Sequence, residues 1–420
     1  MMAMPWPLPG DAVDELGHCN KCGFCLPACP TYDATGSEVH SPRGRLSLVE
    51  AAWRGEIEPG QGLADALSAC LGCLACETAC PSGVRYGRVL EAARASLART
   101  TRRYVVTSST AGVMLKLVRR RRWLRWAVTA GRLARRLPTP RGLEPLMALL
   151  PPSEPDAAPA RTASDTLGTV SVWYFTSCVM DTVFPQANRD AEMLLEAAGA
   201  RVEAPTPQDC CGALHLHSGD VETARDLARA NLKRWAALPP DTLIVSHAGG
   251  CAAMIHEYGR LLADDPEWSD QALHWAKQVR DFSTALLGLP QALEFRGDGS
   301  RVGLQNSCHV VNSLHQGTAP VQLLQSVDGD VFVPLDGQNR CCGSAGLYNL
   351  LQPELAGRIL DRHLAEVREA ALDLWVTNNP GCALQCQSGL RTNGLATRAT
   401  HLATHLAQRW TGRRQSRVSE

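Results

Sequence analysis

The chain has 420 residues, of which 45% are hydrophobic, and this length is enough for two or three domains. Forty-two Lys and Arg balance forty-two Asp and Glu, so the net charge gives no reason to expect nucleic acid as a partner. No apolar run is as long as a membrane span, and the first residues lack the basic start and apolar stretch of a signal peptide. We therefore expect a cytoplasmic protein whose seventeen cysteines are reduced, which favours metal ligands over disulfides.

Eight cysteines near the N-terminus form two runs with the same spacing, C-x2-C-x2-C-x3-C-P. In such a run three thiolates wrap around one iron–sulfur cube, and the fourth, before proline, reaches the other cube. A zinc knuckle would explain one run, but two runs that both end in Cys-Pro favour two [4Fe-4S] clusters. The predicted ligands of the first cluster, here the first cysteine set, are Cys19, Cys22, Cys25 and Cys80. Those of the second cluster, the second cysteine set, are Cys70, Cys73, Cys76 and Cys29.

The segment between the two runs is longer than a minimal ferredoxin needs. Residues 47–53 and 64–69 have helical patterns, so we predict an all-helical ferredoxin-type domain over residues 1–100. Arg43-Gly44-Arg45 is interpreted as a solvated loop rather than as a docking site for a partner.

Residues 101–168 differ in composition from the rest of the chain. From Thr101 to Arg141 there are twelve Lys or Arg and no acidic residue. Apolar residues occur there at helical spacing, which predicts a basic amphipathic helix; they are Trp123, Trp126, Ala130, Leu133 and Leu137. Such a helix lies on an anionic membrane, packs on an acidic partner subunit, or covers the protein's own domains with arginine stems. Residues 138–166 are rich in Pro and Ala and are interpreted as a linker.

The rest of the chain is an internal duplication, with copies over residues 169–298 and 299–412. Each copy alternates strand and helix patterns and contains the triplet Cys-Cys-Gly, so we predict two small α/β domains with largely parallel sheets. Four cysteines recur at offsets of 130, 131, 131 and 131 residues. We call them the CCG cysteines: Cys178, Cys210, Cys211 and Cys251 in the first domain, and Cys308, Cys341, Cys342 and Cys382 in the second.

The CCG cysteines follow predicted strands, where sites form in parallel sheets, so four thiolates from three loops are predicted to bind one metal centre in each domain. Gly212 and Gly343 are expected to allow the tight turn that aims both adjacent cysteines inward. Two other interpretations stay open. The cysteines are buried core thiols, or Cys210 and Cys211 form a redox dithiol pair.

Two cysteine runs followed by two CCG domains resemble the iron–sulfur subunit of glycolate oxidase. Related families are the iron–sulfur subunits of lactate-utilisation and anaerobic glycerol-3-phosphate dehydrogenase complexes, and the B-type subunit of heterodisulfide reductase. The strings that carry the resemblance are HCNKCGFCLPACPTY, SPRGRL, CLACETACPSGVRYG, HEYG from His256 and CCGSAG from Cys341. The resemblance extends from about Cys19 to Trp410.

The resemblance implies an electron-transfer subunit of an oxidoreductase complex that is not catalytic alone. FAD-containing flavoprotein subunits would oxidise glycolate to glyoxylate, and this chain would pass the electrons to a quinone or another carrier. A peripheral position on the cytoplasmic face of the inner membrane would follow. The alternatives are the corresponding subunit of a D- or L-lactate or anaerobic glycerol-3-phosphate dehydrogenase complex, a heterodisulfide-reductase-like subunit with a catalytic CCG cluster, and a zinc scaffold.

The sequence departs from the heterodisulfide reductase pattern, in which each CCG domain ends in C-x2-C. Met254 stands at the last position in the first copy, and Gln385, followed by Cys386, stands there in the second. We expect an iron–sulfur cluster in the second domain, which has the additional Cys386, and zinc, an iron–sulfur cluster or no metal in the first. His309, like His215 and His217, is interpreted as an ordinary hydrogen-bonded histidine rather than as a ligand.

Overall fold

The computed structural model describes residues 6–100, 109–134, 150, 168–205 and 208–412. Residues 6–100 contain helices and a short 3-10 turn but no strand, so the predicted all-helical ferredoxin-type module is confirmed. The helices are α1 (Gly10–Gly17), α2 (Pro30–Thr35), α3 (Pro42–Trp53), α4 (Gln61–Ser68), α5 (Ala75–Thr78) and α6 (Tyr86–Thr100).

Residues Arg43-Gly44-Arg45 were predicted to form a solvated loop, but they lie in the first turn of α3, so that prediction is wrong. Ser41 caps the helix by accepting a hydrogen bond from the backbone N–H of Gly44, and Pro42 fits the first helical turn. The helix places Arg45 on its inner side, where the residue is only 1% exposed. Leu46 and Val49 on the same side pack in the core of the module. The cap and the proline were visible in the sequence, but the direction of Arg45 depends on the packing of the module.

The basic segment forms two helices separated at Arg120, α7 (Ser109–Arg119) and α8 (Arg121–Ala134), rather than one helix. The inner face of α8 packs on the first α/β domain, where Leu124 and Val128 share an apolar cluster with Met180. Arg121 and Arg125 form ion pairs with Asp181 in that domain, with N–O distances of 3.4 and 2.7 Å. The predicted linker lies outside the described residues apart from residue 150, and Leu137 also lies outside them.

The first α/β domain contains a four-stranded parallel sheet in the order β2-β1-β3-β4. Its strands are β1 (Val170–Tyr174), β2 (Ala200–Glu203), β3 (Leu243–Ser246) and β4 (Val279–Asp281). Its helices are α9 (Cys178–Val183), α10 (Pro185–Ala197), α11 (Ala213–His217), α12 (Val221–Trp235), α13 (Gly249–His256), α14 (Tyr258–Leu261), α15 (Ser269–Gln278) and α16 (Phe282–Gly288).

The second α/β domain repeats this topology, with a parallel sheet in the order β8-β6-β9-β10. A separate pair is formed by β5 (Phe295–Arg296) and β7 (Val327–Asp328). The strands of the sheet are β6 (Arg301–Gln305), β8 (Val331–Phe332), β9 (Leu374–Thr377) and β10 (Arg398–His401). The helices are α17 (Cys308–Asn312), α18 (Thr318–Gln325), α19 (Tyr348–Leu351), α20 (Pro353–Glu369), α21 (Pro380–Thr392) and α22 (Leu402–Arg409).

The two α/β domains pack closely against each other. Val172 and Val245 of the first sheet share one buried apolar cluster with Leu304 and Val376 of the second. A side chain at Gly249 would place its Cβ 2.4 Å from Ser307 Oγ, so the loop before α13 can approach α17 only because residue 249 is glycine. The predicted fold class is confirmed, whereas the domain limits stay predictions. None of the described helices is long and apolar enough to cross a bilayer.

Candidate metal centres

The eight cysteines of the ferredoxin-type module line two neighbouring cavities. All four residues of the first cysteine set line one cavity, together with Cys76. All four residues of the second cysteine set line the other. Cys29 therefore lies with the C-terminal run and Cys80 with the N-terminal run, which is the exchange of the fourth ligand that the motif predicts. Sulfur is the donor that iron–sulfur clusters use, so the lining of both cavities fits such clusters.

Two buried arginines lie beside the second cysteine set, and only Arg45 had been singled out in the sequence. Arg45 Nε donates to the carbonyl oxygen of Ala66 at 2.7 Å. Arg94 Nη2 donates to the carbonyl oxygen of Cys70 at 2.7 Å. Burial alone would raise the pKa of Cys70, but the charges of Arg45 and Arg94, together with hydrogen bonds from Tyr86 and Gly72, leave this pKa below its ordinary value. These groups therefore stabilise negative charge at Cys70.

Hydrogen-bond donors also contact the sulfur atoms of the second cysteine set. The backbone N–H of Gly72 and the hydroxyl of Tyr86 donate to Cys70 Sγ at 3.4 and 3.5 Å. Such contacts make a reduced cluster easier to form because they offset charge on the thiolates. No residue pattern in the sequence marks Tyr86 for this role.

The CCG cysteines lie at the carboxyl ends of the strands, as predicted. Four of them occupy the first turn of a helix, where free backbone N–H groups favour thiolates; they are Cys178, Cys251, Cys308 and Cys382. The adjacent pairs Cys210-Cys211 and Cys341-Cys342 occupy loops that end in glycine. Gly212 and Gly343 have φ values of 92° and 87°, which confirms the left-handed turn expected at both positions.

Sulfur atoms approach each other within each CCG domain. In the first domain Cys178 Sγ is 3.9 Å from Cys210 Sγ, and Cys211 Sγ is 3.3 Å from Cys251 Sγ. In the second domain the Sγ atoms of Cys342 and Cys382 are 3.1 Å apart. For comparison, sulfurs bound 2.3 Å from one tetrahedral zinc lie about 3.8 Å apart. However, no three His, Cys, Asp or Glu side chains among the described residues form a group that fits a single metal ion. The distances between sulfur atoms alone therefore do not identify zinc as the metal of the CCG cysteines.

The first cysteine of each CCG triplet is the favoured thiolate. Hydrogen bonds from the thiols of Cys178 and then Cys211 lower the pKa of Cys210 well below its ordinary value. The equivalent bonds from Cys308 and Cys342 lower the pKa of Cys341 in the same way. Each triplet thus holds one sulfur ready to bind a cation.

The residues at the end of the two CCG repeats do not supply a fifth metal ligand. Met254 packs in the apolar cluster beside Cys210. The amide oxygen of Gln385 accepts a hydrogen bond from Asn349 at 2.9 Å. Cys386 is fully buried between side chains such as Leu360 and Trp375, and burial raises its pKa well above the ordinary value. The additional Cys386 is therefore a core thiol, so it gives no support to the expectation of a cluster in the second domain.

The second cysteine set lies against the second CCG domain. Asn312 in α17 donates a hydrogen bond to the carbonyl oxygen of Cys73 at 2.9 Å. The hydroxyl of Tyr348 donates to the carbonyl oxygen of Ala69 at 3.2 Å. Cys73 shares one buried cluster with Cys308 and Cys341. The ferredoxin-type module and the second CCG domain are thus in direct contact at their cysteines.

All eight CCG cysteines line one cavity of about 480 Å³ between the two α/β domains. We call it the inter-domain cavity. Its other walls come from the ferredoxin-type module, at Cys70 and Arg94, and from α8, at Leu124 and Val128. The sequence did not reveal this cavity, because its walls come from four separate parts of the chain.

Three histidines lie near these cysteines. His215 Nδ1 is 2.9 Å from Asp220, which agrees with its interpretation as a hydrogen-bonded histidine. His217 and His309 stack with their ring centroids 5.8 Å apart, and both line the inter-domain cavity. Burial lowers the pKa of His309 to about 4, so its imidazole is neutral near pH 7. His309 Nδ1 lies 3.7 Å from Cys308 Sγ, and its Nε2 has no hydrogen-bond partner.

Comparisons with known protein families agree with this arrangement. Residues 15–84 match the family described as a 4Fe-4S dicluster domain, and residues 172–256 and 302–387 each match the CCG cysteine-rich domain. The fold and these matches define an iron–sulfur protein with a dicluster module and two CCG domains. The dicluster domain implies two [4Fe-4S] clusters.

Relatives with similarity along nearly the whole chain identify the family. The chain is 39% identical to the probable glycolate oxidase iron-sulfur subunit of Bacillus subtilis strain 168, over 94% of both chains. It is 29% identical to the glycolate oxidase iron-sulfur subunit of Escherichia coli K12, over 91% of this chain and 92% of the relative. The chain therefore belongs to the family of glycolate oxidase iron–sulfur subunits. Lactate utilization protein A of Shouchella clausii is 27% identical over 56% of this chain and 97% of its own length.

Proposed function

We propose that this chain accepts electrons from FAD-containing flavoprotein subunits that oxidise glycolate to glyoxylate, and passes them to a quinone or another carrier. The observation that carries this proposal is the contact between the second cysteine set and the second CCG domain, where Cys73 packs with Cys308 and Cys341. Metal centres bound there would be close neighbours in one protein, which a chain of electron carriers requires. Membership of the glycolate oxidase family supports the choice of substrate for the partner subunits.

The first and second cysteine sets are the proposed ligands of the two [4Fe-4S] clusters. These clusters supply reversible one-electron oxidation and reduction when they are bound. Burial raises the pKa of Cys73 and Cys76 well above ordinary values, so both thiols are protonated until a metal displaces their protons. Arg45 and Arg94 then offset the negative charge that the thiolates bring into the buried cavity.

The CCG cysteines are the proposed ligands of further metal centres. For the second domain we propose an iron–sulfur cluster, because Cys308 and Cys341 pack against Cys73 of the second cysteine set. The first domain has the same four thiols but no such contact among the described residues, and zinc or an iron–sulfur cluster fits this donor set. Iron and zinc analysis of a Cys210→Ala variant measures the metal of the first domain, and of a Cys341→Ala variant that of the second.

We propose a peripheral membrane position, on the cytoplasmic face, through the outer face of α8. Trp123, Trp126 and Leu133 are 59%, 73% and 65% exposed and lie on one side of this helix. Arg119, Arg120 and Arg122 near them are also exposed. Apolar side chains rimmed by cations fit an anionic lipid surface, where the rings insert and the guanidinium groups contact phosphate. The seventeen free cysteines suit a reducing compartment.

Vesicle flotation tests the membrane contact. The protein should float with vesicles that contain anionic lipid and less with neutral vesicles, and the double variant Trp123→Ser, Trp126→Ser should lower binding by about tenfold. Leu273→Ser is the matched control, because Leu273 is 52% exposed on another helix. Equal binding of the double variant and the wild-type protein would contradict the membrane position and favour a partner subunit.

Anaerobic reduction of the complex tests the electron relay. The chain is purified with its flavoprotein partners, and glycolate is added without any acceptor. Glycolate should bleach the visible absorbance of the clusters after the flavin is reduced. Bleaching by lactate or glycerol 3-phosphate, but not by glycolate, would assign the chain to one of the related complexes. Flavin reduction with no change in the cluster absorbance would contradict the relay.

A further inference from the structure

We propose that the inter-domain cavity binds the ring of a lipid-soluble quinone, which makes it the acceptor site of the complex. The inference rests on the proposed function, since the relay supplies the electrons. It goes further because it assigns the acceptor to one cavity with a defined set of walls. Three properties of the cavity support it: its size and apolarity, its position between both groups of CCG cysteines, and the helix that forms one wall.

The size and lining of the cavity suit a flat apolar ring. The cavity has a volume of about 480 Å³, of which the proposed CCG metal centres would take a part, and the ring would occupy the remaining space. Most of the wall is apolar, with side chains that include Met114, Val118, Leu124, Val128 and Leu347. A charged carrier or a hydrophilic protein partner would gain little from such a wall, whereas an apolar ring is transferred out of water or lipid favourably.

A ring in this cavity would lie beside the metal centres proposed for both groups of CCG cysteines, because all eight of these cysteines line it. Cys70 of the second cysteine set lines it as well. A bound acceptor would therefore be next to both groups of CCG cysteines and to Cys70 of the second cysteine set. This position is what an acceptor at the end of the relay requires.

Polar groups are few in the wall, as in other sites that orient a small ligand. His217 lines the cavity, is 37% exposed, and lies 3.6 Å from Glu91. It thus connects the cavity to solvent. Reduction of a quinone to a quinol takes up two electrons, which the relay delivers, and two protons, which come from water at this imidazole. Both protons end on the ring oxygens, and no bond to the protein forms or breaks.

Helix α8 connects the cavity to the proposed membrane surface. Its inner side chains Leu124 and Val128 form part of the cavity wall, whereas Trp123 and Trp126 point to the outside. A helix with its side chains is about 10 Å across, so the cavity would lie about that far from the lipid surface. A water-insoluble acceptor needs such a short path from the bilayer, and a water-soluble carrier does not.

Photolabelling of the complex tests the site directly. A photoreactive azidoquinone is added to the wild-type complex, irradiated and located by peptide mass spectrometry. We expect the label on residues 124–128 or 344–351, with loss of labelling when unmodified quinone is in excess. A label confined to the flavoprotein subunits, or to surfaces away from these two segments, would overturn the proposal.

A space-filling variant gives a second test. Val128→Trp should lower glycolate–quinone reductase activity and azidoquinone labelling of the cavity by about tenfold or more, because the indole occupies the site. Thr129→Trp is the matched control, because residue 129 is exposed and should change neither readout. Leu347→Trp fills the cavity from another wall and replaces the first variant if that variant fails to assemble. Unchanged labelling in assembled Val128→Trp and Leu347→Trp complexes would overturn the proposal.

Anaerobic bleaching by glycolate separates this proposal from the relay. The space-filling variants should bleach like the wild-type complex, because they block only the last transfer. If the wild-type complex bleaches but the label lies elsewhere, the acceptor site is wrong and the relay stands. If the wild-type complex does not bleach, the relay fails, and the acceptor site fails with it.

Discussion

Asn312 Nδ2 donates a hydrogen bond of 2.9 Å to the carbonyl oxygen of Cys73. The same side chain accepts a hydrogen bond of 3.0 Å from the hydroxyl of Thr78. One amide of the second CCG domain therefore holds both ends of the segment that contains Cys73 and Cys76. Because these cysteines belong to the second cysteine set, Asn312 fixes the position of that set relative to the CCG cysteines.

Replacing Asn312 by Leu should loosen this contact. The variant leaves the buried carbonyl of Cys73 unpaired, which should lower the free energy of unfolding by about 2 kcal/mol, whereas the hydroxyl of the exposed Thr78 can bond to water. Denaturant unfolding measures this loss. Electron transfer from reduced flavin to an added quinone should also become slower, because the contact between the second cysteine set and the CCG domain is weaker. A variant with wild-type stability and wild-type quinone reduction would contradict this role.

Each cluster takes its fourth ligand from the other cysteine run, and this exchange predicts which cluster a given cysteine variant damages. Cys29→Ser should perturb the cluster of the C-terminal run, and Cys80→Ser the cluster of the N-terminal run, although each residue belongs to the other run. Electron paramagnetic resonance during stepwise reduction distinguishes the two signals. Cys386→Ala is the control, because this buried core thiol should not affect either signal. If Cys29→Ser altered only the signal that Cys22→Ser also alters, the exchange would be wrong.

Removing the buried charge of Arg45 should lower the reduction potential of the second cluster. Arg45 lies in the wall of that cavity, and a unit charge there is worth about 2 kcal/mol at an effective dielectric constant of about 20. Arg45→Met should therefore shift the one-electron potential downward by on the order of 50–100 mV in a redox titration. Arg45→Lys keeps the charge and should keep most of the potential. Equal potentials for Arg45→Met and the wild-type protein would rule out this electrostatic role.

The acid stability of the protein should depend on Glu91. Its carboxylate is 2.5 Å from Arg260 and 3.6 Å from His217. Burial alone would raise the pKa of Glu91, but the charge of Arg260 lowers it from 4.5 to about 2. Since the pKa is depressed in the folded state, the stabilisation is complete above pH 4.5 and is lost as the pH falls toward 2.

Glu91→Gln should therefore cost about 3 kcal/mol of unfolding free energy near pH 7 and flatten the loss of stability between pH 4.5 and pH 2. Unfolding in urea at several pH values measures both effects. Glu257→Gln is the control, because Glu257 is more exposed and pairs with the same arginine, and it should cost less than about 1 kcal/mol. Parallel stability curves for Glu91→Gln and the wild-type protein would contradict the prediction.

Much of the fold follows from residues that repeat. The spacing of the CCG cysteines predicted two copies of one α/β domain, and the two sheets have the same strand order. Strands β1 and β9 contain apolar runs, which is the pattern that predicts a buried strand. The edge strands β4 (Val-Arg-Asp) and β10 (Arg-Ala-Thr-His) were not predicted, because they are short and mix polar with apolar residues.

The site was harder to predict where it depends on packing between distant segments. Cysteine spacing predicted the two sets, because three ligands of each cluster lie close together in sequence and the Cys-Pro ending marks the fourth. The burial of Arg45 and the position of Cys386 in a core depend on residues far away in the chain. The break between α7 and α8 at Arg120 was missed as well, because neither proline nor glycine marks it. The inter-domain cavity needs four parts of the chain to meet, so no local pattern predicts it.

Iron analysis and electron paramagnetic resonance of the chain, purified without oxygen, test whether its N-terminal cysteines bind two [4Fe-4S] clusters. We expect at least about eight irons per chain, from these two clusters, and a paramagnetic signal after reduction with dithionite. Cys29→Ser and Cys80→Ser should each reduce the iron content, whereas Cys386→Ala should not. A colourless protein that contains zinc, lacks iron and shows no signal after dithionite would contradict this expectation.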